Sequence, residues 1–300
     1  MDIEQIRTFI AVAANGSFFE AANRLYVTQS TVSARIQNLE NYLGAKLYVR
    51  NRSGATLTVA GQRFLRHAKS LLLTLEQAQH EVGLPSGFRA SITVSARIAL
   101  WEDFLPRWAC KMREKAPDIS IRSEIGFEED IMRRLVEGTL DIGLMYTPRH
   151  IPGLQVEHLF DETLMLLSAN PDKPWPDPNY VYIDWGPGFY AQHNNSYPEL
   201  ASPAQIATIG WLGVQLILRN NGSCFLPLRL ARPLVEERKL YFVDESPRFK
   251  LPAYMVFQAE HDSVILDPAL AELRSLGADE QTNNTVDIAD PGVDGGLPLS

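Results

Sequence analysis

Residues 17–44 read SFFEAANRLYVTQSTVSARIQNLENYLG, and the fold of the N-terminal part of the chain turns on this stretch. Ser17 with Glu20 three residues later forms a capping box, the hydroxyl and the carboxylate each satisfying the other's free backbone N–H. It opens a helix through Tyr26 that buries Phe18, Ala21, Ala22 and Leu25. Thr28 caps the next helix, on which Val32, Ile36, Leu39 and Leu43 share one face before Gly44 ends it. Upstream, Ile3, Ile6, Phe9, Ile10 and Ala13 recur at helical spacing, and Asn15-Gly16 supplies a left-handed stop. Three short helices with a tight link between the second and third predict a helix-turn-helix.

Opposite Val32 and Ile36, the third helix carries Ser30, Ser33, Ala34, Gln37 and Asn38, with Thr28, Gln29 and Thr31 at its N-terminal end. Short, uncharged hydrogen-bonding side chains suit base edges in the major groove. Arg35 falls on the flank, where its length could reach a phosphate. Residues 46–57 then read as a hairpin with a Ser-Gly turn, a wing carrying Lys46, Arg50 and Arg52. The polar helix face alone would fit a solvated surface; the wing bases and the tight turn favour a DNA-reading face. From Thr58 to about Val82 runs a helix with Phe64, Leu65, Ala68, Leu71, Leu72, Leu75, Ala78 and Val82 along one stripe. A small domain cannot cover that length, so the stripe predicts pairing with a second copy, or burial against the next domain. Leu84-Pro85-Ser86-Gly87 breaks it as a linker.

The whole chain, 300 residues at a formal charge of −8, argues at face value against a nucleic-acid partner. The charge is unevenly placed. Residues 1–90 hold ten lysines and arginines against six acids, a net of +4. Residues 278–300 hold five acids and no base, and the middle of the chain carries the remaining −7. A basic head on an acidic body is compatible with DNA. Two cysteines among 300 residues and no basic-then-apolar start after Met1 lead us to expect a reducing cytoplasm and no secretion signal. No apolar run reaches the ~18 residues of a membrane span.

Ala21-Ala22, Leu25, Thr28-Gln29-Ser30-Thr31-Val32-Ser33, Ile36, Leu39-Glu40, Leu43-Gly44, Leu47, Arg50 and Leu57-Thr58-Val59-Ala60-Gly61 fall at the spacing of LysR-type transcriptional regulators, which this chain resembles over about sixty residues. The resemblance implies a winged helix-turn-helix, a dimerising linker helix and an effector-binding domain of periplasmic-binding-protein type. It also implies a homotetramer, the state of most members. Ala34 departs from the many members that carry a long residue there, so base contacts do not carry over in detail. Trp101-Glu102, Asp184–Phe189 and Cys224–Pro227 further resemble the HdfR-like branch of the family.

Downstream, the pattern predicts strands at Ala90–Ser95, Ile119–Ile125 and Asp141–Tyr146, with helices at Ala99–Ala116 and Glu128–Glu137 between them. That alternation implies a parallel sheet with right-handed crossovers. A second set follows: strands at Thr163–Ala169, Tyr180–Asp184, Cys224–Pro227 and Pro252–Ala259, with helices near Ala204–Leu218 and Leu228–Glu237. The expected fold class is therefore α/β, a two-lobed periplasmic-binding-protein-like domain after the winged helix-turn-helix and long linker helix. Its expected boundaries are 1–58 for DNA binding, 59–87 for the linker helix and hinge, 88–277 for the effector domain and 278–300 for a disordered acidic tail.

In such a domain small ligands sit in the cleft at the carboxyl ends of strands. The candidates there are Ser95, Arg97, Trp101, Phe127, Glu128, Tyr146 and Trp185, and Arg97 with Ser95 suggests a carboxylate effector. No spacing of the six histidines suits a metal, no nucleophile motif occurs, and no cofactor is expected. Gly186–Ala191 matches a dinucleotide pattern by letter but is read as a turn. Cys110 and Cys224 read as small buried hydrophobes. The resulting expectation is a regulator, not an enzyme, whose partners are promoter DNA, further copies of itself and a small-molecule effector, with RNA polymerase a further candidate and no membrane. The alternative is a cytoplasmic solute-binding or enzymatic α/β protein with an N-terminal dimerisation module.

Overall fold

The computed structural model describes residues 1–300 except 52–53, 173–174, 201–202, 244–245 and 290–300. It comprises two units, Met1–Pro85 and Ser86–Ser300. In the first, α1 (Ile3–Asn15), α2 (Phe18–Leu25) and α3 (Gln29–Leu43) are followed by a hairpin of β1 (Tyr48–Asn51) and β2 (Gly54–Leu57), then α4 (Val59–Val82). Gly16 and Gly44 stop α1 and α3 at φ 62° and 66°, a left-handed backbone that costs glycine nothing. Thr28 caps α3 as expected, accepting from the Thr31 N–H at 3.2 Å. At α2 only the hydroxyl half of the expected box forms, Ser17 accepting from the Glu20 N–H at 3.3 Å. The complete reciprocal box lies on α1, between Asp2 and Gln5.

Ile6, Phe9, Val12, Phe18, Val32, Ile36 and Leu39 close the core of this unit. Phe9 lies at its centre, 5.3 Å from the Tyr48 ring and 5.1 Å from Phe64. Leu25 and Leu43, expected inside, are only half-buried and exposed, because each falls in the last turn of a helix where the core has already ended. Along α4, Phe64, Leu65, Ala68 and Leu72 join the core, whereas Leu71, Ala78 and Val82 are exposed.

In the second unit, β3 (Ala90–Ala96), β4 (Ile119–Ile125) and β5 (Ile142–Met145) pair in parallel with β3 in the middle, as the alternating pattern implies. Two long strands, β6 (Leu154–Ser168) and β11 (Phe249–Gln258), run antiparallel to each other through the sheet, and β11 also pairs with β5. Both lobes hang from this pair. The second lobe contains β7 (Val181–Ile183), α8 (Pro187–Ser196), β8 (Gln205–Ala207), α9 (Gly210–Asn220), β9 (Ser223–Pro227), α10 (Leu228–Glu236) and β10 (Tyr241–Phe242). β7 and β8 pair in parallel, and β9 and β10 add to β6.

Five expectations need correction. Cys110, read as buried, is exposed on the helix that carries it, whereas Cys224 is buried. The single helix Ala99–Ala116 is two, α5 (Ile98–Trp101) and α6 (Phe104–Lys115), broken where Asp103 leaves helical backbone at φ −149°. Gly186–Ala191 is not a turn: Gly186 precedes α8, Pro187 fills the first helical position where no N–H is needed, and Phe189 and His193 bury one face. The helix expected from Ala204 begins only at Gly210, because Gln205–Ala207 pairs with Val181–Ile183 as a strand. Finally, residues 278–289 are not a tail. They continue α11 (Ser263–Ala289), whose Ala269, Leu270, Leu273 and Leu276 are buried. Its far end is tied down by Arg107 to Glu280 at 2.5 Å and by the Asn284 amide to the Asp161 carbonyl at 2.9 Å. Residues 290–300 of the expected tail lie outside the described residues. Among the described residues no helix is long and apolar enough to cross a membrane.

Candidate functional site

The first candidate site is the outward face of α3. Gln29, Ser30, Ala34, Gln37 and Asn38 are exposed, while Val32, Ile36 and Leu39 on the opposite side are buried. Thr31 and Ser33 are half-buried at the edge of this face. Thr28, Ser30 and Thr31 share hydroxyl hydrogen bonds of 2.8 Å around the start of the helix. Arg35 departs from expectation. Its guanidinium lies 3.0 Å from the Glu4 carboxylate and 3.3 Å from the Thr8 hydroxyl, tying α3 to α1 instead of extending toward a phosphate.

Lys46, the first expected wing base, is likewise engaged, at 2.6 Å from Glu40. Glu40 is the residue that sequence reasoning passed over. It is buried near the end of α3, and its Oε1 accepts from the Leu47 and Tyr48 N–H groups at 2.8 and 3.4 Å. Burial opposes the charge, but Lys46 and the two N–H groups outweigh it and hold the carboxyl below its ordinary value. One buried carboxylate thus fastens the start of the wing to α3. Arg50 pairs through its backbone with Ala55 across the hairpin, and Arg52 lies outside the described residues.

The second candidate site is a cleft of about 600 Å³ in the second unit. Arg97, Phe127 and Glu128, all expected there, line it from the ends of β3 and β4. Arg97 pairs with Glu128 at 3.3 Å and lies 4.9 Å above the Phe127 ring. The other four candidates are not on the lining. Ser95 is fully buried, because β3 is inside along its whole second half. Tyr146 is buried and donates to Glu162 at 3.3 Å. Trp101 donates from its indole to the Glu124 carbonyl at 2.8 Å, and Trp185 to the Phe225 carbonyl at 2.9 Å. Thr147, one residue beyond Tyr146, does reach the cleft.

Tyr182, Asp184, Tyr190, Ile206 and Thr208 complete the wall and were missed. Tyr190 belongs to the helix read as a turn, and Ile206 and Thr208 to the strand edge read as helix. The alternating pair Tyr182 and Asp184 on the strand expected at Tyr180–Asp184 was the available signal. Among the described residues no group of three or more His, Cys, Asp or Glu could hold a metal ion.

A helix-turn-helix with a wing in one unit and a two-lobed α/β body in the other match two family models. Residues 3–62 match "Bacterial regulatory helix-turn-helix protein, lysR family" and residues 85–184 match "LysR substrate binding domain". The HTH-type transcriptional regulator HdfR of Yersinia pestis (strain Pestoides F) is 31% identical over 278 residues, which cover 89% of this chain and 94% of the relative. The chain belongs to the LysR family. HdfR of Yersinia pseudotuberculosis serotype O:1b (strain IP 31758) matches to the same extent, which places this LysR-type regulator on the HdfR-like branch. Its fold is shared with CbnR, a LysR family transcriptional regulator, at a TM-score of 0.70 and 20% identity over 92% of this chain and 99% of that one. It is shared too with Vibrio fischeri DarR, solved in complex with DNA, at a TM-score of 0.58 and 21% identity over 92% and 99%. The relatives are named as regulators, and this LysR-type protein is a DNA-binding regulator with an effector-binding domain, not an enzyme.

Proposed function

We propose that this LysR-type protein is a cytoplasmic homo-oligomer, a tetramer built from dimers, that binds promoter DNA under the control of a small effector. Gln29, Ser30, Ala34, Gln37 and Asn38 meet base edges in the major groove, with Thr28, Thr31 and Ser33 at the margin. Arg50 and Arg52 on the wing grip phosphates. The exposed apolar positions of α4 pair two copies, so that two recognition helices read two half-sites. The effector occupies the cleft of the second unit and shifts the assembly between states that bend DNA differently, a step at which RNA polymerase is contacted.

The observation that carries this reading is the division of α3 into a fully buried apolar face and an exposed, uncharged, hydrogen-bonding one. Footprinting on the chain's own upstream region tests it. The expected result is a protected inverted repeat, with affinity that falls as salt rises. No protection, or affinity indifferent to salt, would overturn it.

A further inference from the structure

The cleft also indicates the chemistry of its ligand, and this inference rests on reading the cleft as the effector site. The one cation on its lining is already answered within the protein. Arg97, mostly buried, is paired with Glu128. Two helices, of nine and ten residues, begin on the lining of this cleft, and the partial positive charge at such ends attracts anions. At α7 (Glu128–Val136) the first turn already holds Glu128, Glu129 and Asp130. At α8 the Gly186 N–H donates to the Asp184 Oδ1 at 3.0 Å, and Pro187 has no N–H to offer. A carboxylate effector, the class expected from Arg97, would therefore meet no uncommitted cation.

What remains open is negative and polar. The lining carries Glu128 and Asp184 against Arg97, a surplus of one carboxylate, and the second oxygen of Asp184 has no partner among the described residues. The Tyr182 side chain is more than nine-tenths buried on the cleft wall, and its hydroxyl lacks a hydrogen-bond partner among the described residues. Burial, with Asp184 and Tyr190 beside it, holds that phenol protonated, so it remains a neutral group in need of a partner. Two aromatic rings, Phe127 and Tyr190, are more than half exposed at the rim. The guanidinium of Arg97 over Phe127 shows that one of these faces already holds a cation.

We propose that the effector of this regulator carries a protonated amine, held by Asp184 and Glu128 against the Tyr190 ring, with a hydrogen-bonding group that satisfies Tyr182. The ammonium supplies the charge that the cleft lacks.

Titration calorimetry on the full chain tests this with tyramine, phenethylamine and putrescine against 4-hydroxyphenylacetate, phenylacetate and succinate. At least one amine should bind. Asp184→Asn, which keeps an acceptor for the Gly186 N–H, should weaken that binding tenfold or more. Glu128→Gln provides a second, independent loss, and Ile206→Trp at the rim should abolish binding by filling the cleft. If no amine binds, or if carboxylates bind in their place, the ammonium assignment is overturned. Carboxylate binding that Ile206→Trp abolishes would leave the cleft as the effector site while excluding the amine. Amine binding that all three substitutions leave unchanged would place the ligand elsewhere and overturn both readings.

Discussion

The reading face of α3 is drawn from fifteen consecutive residues, whereas the cleft gathers its lining from the ends of β3, β4 and β5, from β7, from α8 and from the edge of β8. On α3 one helical period decides at once what is buried and what is presented, so sequence spacing translates directly into geometry. In the cleft each side chain owes its place to a different strand end, and an error of one residue at a strand end moves a candidate from the wall into the core. Tyr146 and Thr147 show this: adjacent in the chain, one is buried and the other lines the cavity. The two sites also treat charge differently. The exposed face of α3 leaves charge out and uses neutral donors and acceptors, while the cleft pairs its one cation and leaves a carboxylate free.

The contrast between a site made by one element and a site made by many can be broken first at the core. Phe9→Ala should cost about 3–5 kcal/mol of first-unit stability. DNA binding should be lost while the second unit still melts as before; a calorimetric scan that shows both units melting together at lower temperature would deny their independence. Glu40→Gln should cost about 2–3 kcal/mol, since it leaves the Lys46 pair unmade and weakens two bonds to the wing. The carboxyl is held below its ordinary value of 4.5, so its contribution is complete above that pH and drains away as pH falls through the lowered value. The acid limb of the first unit's stability curve should therefore flatten in Glu40→Gln, as followed by denaturant unfolding at a series of pH values.

Gln37→Ala should relax discrimination between the chosen site and a mismatched one by about 1–3 kcal/mol, without altering thermal stability. Competition binding on paired duplexes measures it, and unchanged discrimination would remove Gln37 from base contact. The smallest effect belongs to Arg35→Ala. Its partly exposed tie to Glu4 is worth roughly 0.2–1 kcal/mol. The slope of log affinity against log salt should stay the same, whereas a phosphate-binding arginine would lower it by about 0.9.

The helices and caps of the first unit were legible because Ser17, Thr28, Gly16 and Gly44 act on their nearest neighbours. What escaped was long-range pairing. Gln205–Ala207 is too short to declare itself a strand without Val181–Ile183 beside it. The polar run of residues 278–284 becomes helical because Glu280 and Asn284 find Arg107 and the Asp161 carbonyl more than a hundred residues away. Arg35 and Lys46 read as DNA contacts in the sequence because it shows that a cation is present but not that Glu4 or Glu40 has already claimed it.

Glu40 has a consequence for how DNA is found. A wing free to swing would have to be immobilised on contact, and each duplex encountered would exact that loss of freedom whether or not its bases matched. If α3 and the wing grip DNA as proposed, the hairpin clamped to α3 before any encounter would bring the two grips at a fixed separation, so a duplex of the wrong groove shape would be rejected as a rigid misfit and released quickly. On the proposed reading of α3 and the wing, this carboxylate lies off the base-reading face, yet it would make the speed of letting go depend on sequence.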